Sequence, residues 1–190
     1  MREYQGYRKL PERIRVVGCA AHARRKFDEA LTALPKEQQQ TSKAAEALCY
    51  FAKLFQLEQS FAELKPEERY TKRLEQAKPV LDALLAWAND LIPRTAPKSA
   101  LGKALHYLKE QWPYLVRYLE DGRLELSNNR AERSIKPFVM GRKGWLFSNT
   151  PVSAVIYSLI ETAKENAPDP YRYLLWVLES APAMALEGDA

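Results

Sequence analysis

The sequence predicts a mainly α-helical protein with one clear strand. Three observations carry this. Apolar residues recur at three- and four-residue intervals over most of the chain. The stretch Ile14–Ala20 is the one that reads best as a strand, being short, apolar and partly β-branched. Prolines and N-capping residues punctuate the periodic segments at helix-length intervals.

Past the strand the period changes at His22. Ala23, Phe27, Ala30, Leu31 and Leu34 fall on one helical face, and Pro35 ends that helix. A longer helix is expected from about Ser42 to Leu64, with Ala44, Ala47, Leu48, Phe51, Leu54, Phe55 and Phe61 as its apolar stripe. Pro66 suits a first helical turn, and Glu67 and Glu68 complement the dipole there. That helix reads through Leu74 to about Lys78. Pro79 kinks or restarts it, and Val80, Leu81, Leu84, Leu85 and Trp87 continue it. Ser99 is a plausible N-cap for the helix carrying Leu101, Ala104, Leu105 and Leu108. Trp112-Pro113 is expected to break this helix, and Asp121-Gly122 stops the turns that follow. Leu124–Leu126 reads as a short extended piece. The run Ser127 to Arg133 opens a helix to about Met140, Gly141–Gly144 is a basic turn, and Trp145–Phe147 is a short strand or a buried anchor. The stripe Val152, Val155, Ile156, Leu159, Ile160 and Ala163 marks another helix. Asp169-Pro170 starts the last one, with a frayed tail expected from Pro182.

Composition excludes several classes. No run approaches the ~18 apolar residues of a membrane span, and the N-terminus lacks the apolar core of a signal peptide, which places the chain in the cytoplasm. Two cysteines cannot make a disulfide framework. The net charge of +5 is unevenly spread. Residues 1–26 carry eight Lys/Arg and two Glu, and residues 130–143 carry five Lys/Arg and one Glu. Basic charge confined to two segments fits a polyanion surface, or a solvated basic face with no ligand.

Candidate chemistry is sparse. No Walker loop, dinucleotide fingerprint or Ser/His/Asp arrangement is present. Cys19 and His22 have ligand-like spacing, but a zinc site needs about four ligands and only Cys49 and His106 remain. Glu132 is the single acid between Arg130 and Lys143. Among cations that face DNA phosphates it could hold Mg²⁺. Asn129 with Glu132 three residues later also fits a capping box, and one carboxylate does not make a metal site. Arg24, Arg25 and Lys26 could bind phosphates, as could Arg130, Arg133, Lys136, Arg142 and Lys143, with Arg130, Arg133 and Lys136 sharing roughly one helical face. Trp145 could stack on a base and reads better as a core anchor.

At these residues the chain resembles the DDE transposases of the insertion-sequence-66 family. The matching blocks run almost from end to end. They include Glu3-Tyr4-Gln5-Gly6-Tyr7, Gly18 to Phe27, Pro97 to Ala104, Gly141-Arg142-Lys143, Trp145-Leu146-Phe147 and Tyr157 to Lys164, and the most specific is Gly122 to Arg133 with its Ser127-Asn128-Asn129-Arg130-Ala131-Glu132-Arg133. The resemblance implies an RNase-H-like core interrupted by an all-helical insertion. Residues 1–26 would then be a remnant of the core, 27–121 the insertion, 122–180 the Glu-bearing part of the core and 181–190 a tail. It further implies two aspartates and a glutamate around two Mg²⁺ ions, cutting and joining DNA at transposon ends. Glu132 corresponds to the glutamate. The first aspartate would precede Met1, and Arg2 stands where the second is expected. Gly144 replaces an asparagine usual after the Arg-Lys pair, and the family carries a few more residues between Pro151 and Ser153. Truncated in this way, the chain is expected to bind no Mg²⁺ and to be inactive alone. The alternatives are a fragment that binds DNA or associates with intact transposase or itself, and a helical remnant without activity.

Overall fold

The computed structural model describes residues 14–141, 150–166 and 168–187. The described residues fall into two compact units, divided between Asn128 and Asn129.

In the first unit α1 (Ala20–Thr32) packs against α3 (Lys43–Ser60) and α6 (Ala100–Leu115), with a short α2 (Lys36–Gln39) between α1 and α3. Phe27 sits at the centre, fully buried, its ring 5.9 Å from that of Phe51 and 6.2 Å from that of Trp87. Leu54, Leu84, Leu105 and Leu108 complete the core, all on the apolar stripes read from the sequence. Ser42 and Ser99 cap α3 and α6, their side-chain oxygens accepting from Ala45 N–H at 3.1 Å and Gly102 N–H at 3.0 Å. Each satisfies an amide that the first helical turn leaves unpaired.

Pro79 acts as a restart. After α4 (Pro66–Lys72), residues Arg73–Ala77 form one π turn and α5 (Lys78–Leu91) follows, the Lys78 amide donating to the Arg73 carbonyl. Proline has no N–H to give the preceding turn, and a single wide turn absorbs the loss. That turn carries Arg73 into the protein, where it is 1% exposed. All three nitrogens of its guanidinium donate: Nε and one terminal nitrogen to Glu58 at 2.9 and 2.6 Å, and the terminal pair also to the carbonyls of Tyr118, Asp121 and Leu124 at 2.8–3.1 Å. The guanidinium lies 5.0 Å from the Tyr118 ring centre. Burial pushes the Tyr118 phenol well above its ordinary range, so it stays neutral. Arg69 closes the end of α3 in the same manner, donating to the carbonyls of Phe61, Ala62 and Leu64.

Two sequence expectations are corrected here. Ile14–Ala20 is not a strand, and no strand occurs among the described residues. The segment has no neighbouring strand to pair with. Instead Gly18 N–H donates to the Tyr114 carbonyl at 2.9 Å, Arg117 donates to the Val16 carbonyl at 2.8 Å, and Ala20 N–H reaches the Leu126 carbonyl at 3.0 Å. Scattered bonds to a helix end and a loop satisfy the backbone without a ladder. Gly18 is required for that approach, since a Cβ there would stand 2.8 Å from the Leu115 nitrogen. Nor does Trp112-Pro113 break α6, which runs on to Leu115 before a 3₁₀ turn over Val116–Glu120. Pro113 and Lys109 are both exposed, so water can serve the carbonyl that Pro113 leaves without an N–H.

The second unit holds α7 (Asn129–Gly141), α8 (Pro151–Glu165) and α9 (Pro170–Glu187), with α8 packed against both others. Thr150 caps α8 through the Ser153 amide at 3.3 Å, and Asp169 caps α9 through the Arg172 amide at 3.0 Å. The tail expected to fray from Pro182 is helical to Glu187. Ala163 is buried, while Val152, Val155 and Ile156 on the α8 stripe remain exposed, as do Tyr171, Trp176 and Leu178 on α9. Leu124–Leu126, in the first unit, lies in neither a helix nor a strand, and Trp145–Phe147 lies outside the described residues.

Candidate nucleic-acid interface and catalytic acid

Glu132 stands in the first turn of α7, exposed to solvent. The N-terminal amides of a helix favour a carboxylate there, so this position is stable for an acid whether or not it has other work. Arg133 and Lys136 are exposed on the same helix. Arg130 is committed elsewhere. Its Nε donates to the Glu165 carboxylate and its terminal nitrogen to the Glu165 carbonyl at 3.3 Å, while Ser134 Oγ donates to the other Glu165 carboxylate oxygen at 3.1 Å. Hydrogen bonds from Arg130 and then Ser134, with the fields of Arg130 and Arg133 behind them, hold the Glu165 carboxyl below the usual glutamate range. Of the three cations at three-residue spacing, Arg130 is therefore paired with an acid of α8.

On α1, Arg24 and Arg25 are exposed, and Lys26 pairs with Glu29 at 2.8 Å, which lowers the Glu29 carboxyl below its ordinary value. Arg142, Lys143 and Trp145 lie outside the described residues.

The described donor set does not build a metal centre. Among the described residues no three His, Cys, Asp or Glu side chains come together. Cys19 is the N-cap of α1, its sulfur 3.5 Å from the Asn128 nitrogen. Cys49 is exposed on α3, and His106 faces Glu110 at 3.6 Å. Among the described residues Glu132 stands in no such group, and a two-metal phosphoryl-transfer site does not fit them by themselves.

The profile of the Transposase IS66 family matches residues 3–156, and the IS66 C-terminal element matches residues 158–187. The chain belongs to the IS66 transposase family. This IS66 chain is also 35% identical to the uncharacterized protein y4jD of Sinorhizobium fredii (strain NBRC 101917 / NGR234) over 87% of its own length, and 31% identical to y4hP of the same strain over 84%. It spans about a third of the length of these relatives, 32% and 31% respectively. No solved structure matches it. No helix among the described residues is long and apolar enough to cross a membrane.

Two residues central to the structure of this IS66 chain carried no sequence signal. Arg73 reads as one more charge on an amphipathic helix, and only the π turn six residues before Pro79 brings it inward. Glu165 reads as an ordinary C-terminal helix residue until α7 is laid beside it.

Proposed function

We propose that the chain is the DNA-holding part of an IS66 transposase, which presents the family's glutamate, Glu132, to a phosphodiester and does not cut DNA alone. What carries the reading is the placement of Glu132 in the exposed first turn of α7, with Arg133 and Lys136 within about one turn of it. Arg133 and Lys136 in the second unit contact phosphates and position a duplex without reading its sequence, and Arg24 and Arg25 give the first unit a basic surface of its own. The aspartates and divalent metals that an active centre of this family needs come from outside the residues present here, and an RNase-H-like sheet would have to be completed there too.

The experiment uses transposon-end duplex and the purified chain with Mg²⁺ or Mn²⁺. Binding is expected to weaken with added salt by about 0.9 in log K per log salt for each phosphate neutralised, with no strand cleavage. Binding that ignores salt, or cleavage that disappears in Glu132→Ala, would each defeat the proposal.

A second reading, association with intact transposase or with itself, is favoured by the apolar side chains exposed on the second unit, Ile135, Met140, Val152 and Trp176 among them. Light scattering at rising concentration is expected to give a mass above the 21.8 kDa of one chain. A constant single-chain mass, alone and mixed with full-length transposase, rules this reading out.

A further inference from the structure

The α8-facing side of α7 and its solvent side carry different chemistry. A groove between the two helices is lined on α7 by Ala131, Ser134 and Ile135. Arg130 belongs to that side through its bonds to Glu165. At about 100° per residue, Glu132, Arg133 and Lys136 project from the opposite half of the helix. Both carboxylate oxygens of Glu165 are occupied, one by Arg130 and one by Ser134. Arg130 keeps about half of its side chain exposed, but the Glu165 carboxylate beside it already balances its charge, so a phosphate meeting Arg130 meets a neutral pair.

We propose that Glu165 and Ser134 form a clamp that ties Arg130 to the α8 side of α7, so that the phosphate contacts of α7 fall to Arg133 and Lys136 and not to Arg130. The inference rests on the DNA-holding reading above and narrows its binding surface.

The test is the salt dependence of duplex binding by the whole chain and its variants. Arg133→Gln and Lys136→Gln are each expected to reduce the slope by about 0.9, and Arg130→Gln to leave it unchanged. Glu165→Ala frees Arg130 and is expected to raise the slope by up to about 0.9, an increase that a second change, Arg130→Gln, removes. Ser134→Ala loosens the clamp without altering charge and serves as the control with an unmoved slope. A loss in Arg130→Gln equal to that in Arg133→Gln overturns the proposal, as does a slope that Glu165→Ala leaves in place. Should the chain bind no DNA at all, the DNA-holding reading falls, and the clamp is judged by nitrogen-15 NMR. Its Arg130 Nε–H is expected to exchange slowly at neutral pH in the parent, to stay slow in Glu165→Gln, which keeps an acceptor, and to become fast in Glu165→Ala. Equal exchange in the parent and Glu165→Ala overturns it.

Discussion

Arg73→Ala is expected to destabilise the first unit by about 3–5 kcal/mol, the usual cost of removing one partner from a buried ion pair. The pair is enclosed, with Arg73 1% and Glu58 15% exposed at the side chain. Three backbone carbonyls, those of Tyr118, Asp121 and Leu124, lose their donor in the same step. Each bond alone is worth about 1 kcal/mol, so the carbonyls account for a large share of that total. Dividing the two contributions needs a second variant. Arg73→Met with Glu58→Leu removes the charge problem and keeps the carbonyls orphaned, and it is expected to regain only part of the loss. Urea unfolding followed by helical circular dichroism reads both. An Arg73→Ala midpoint equal to the parent's would show that the guanidinium does not hold the 118–124 segment to the helices.

Gly122→Ala is expected to cost about 2–3 kcal/mol, the upper part of the range for overpacking a closed site. A Cβ at this position would stand 1.9 Å from the Pro66 carbonyl oxygen and 2.7 Å from its carbon. Both are backbone atoms in the first turn of α4, which cannot rotate aside as a side chain would. The loop must move instead. It holds Asp121 and Leu124, whose carbonyls Arg73 uses, and the Gly122 carbonyl, which Arg69 reaches at 3.3 Å. The steric cost therefore spreads into both arginine networks. At roughly 3 °C for each kcal/mol in a unit of this size, thermal unfolding is expected to drop by about 6–9 °C. A melting temperature within about 1 °C of the parent would mean that the loop relaxes without strain.

Much of the fold was legible because it depends on local rules. The stripes of α1, α3, α5 and α6 put Phe27, Phe51, Leu54, Leu84 and Leu105 inside, where they are found. Ser42, Ser99 and Asp169 cap the helices that their positions suggest, since a cap needs only the next three residues. The errors came where a distant partner decides. Ile14–Ala20 has strand-like residues, but pairing belongs to a neighbour, and here the neighbours are the end of α6 and Leu126. Pro113 is tolerated within α6 because its side of the helix faces water, and sequence spacing does not report that.

By itself, the sequence determined the helical character, several helix caps and the family, because periodicity, capping and ordered motif blocks are properties of neighbouring residues. Tertiary structure alone decided that Arg73 is a buried hub and that Arg130 turns to Glu165 while Glu132 faces outward. A charged side chain on an amphipathic helix can point to solvent, to a carboxylate or to a ring of carbonyls, and the choice is set by groups that are remote in the chain: 51 residues separate Arg73 from Leu124, and 35 separate Arg130 from Glu165.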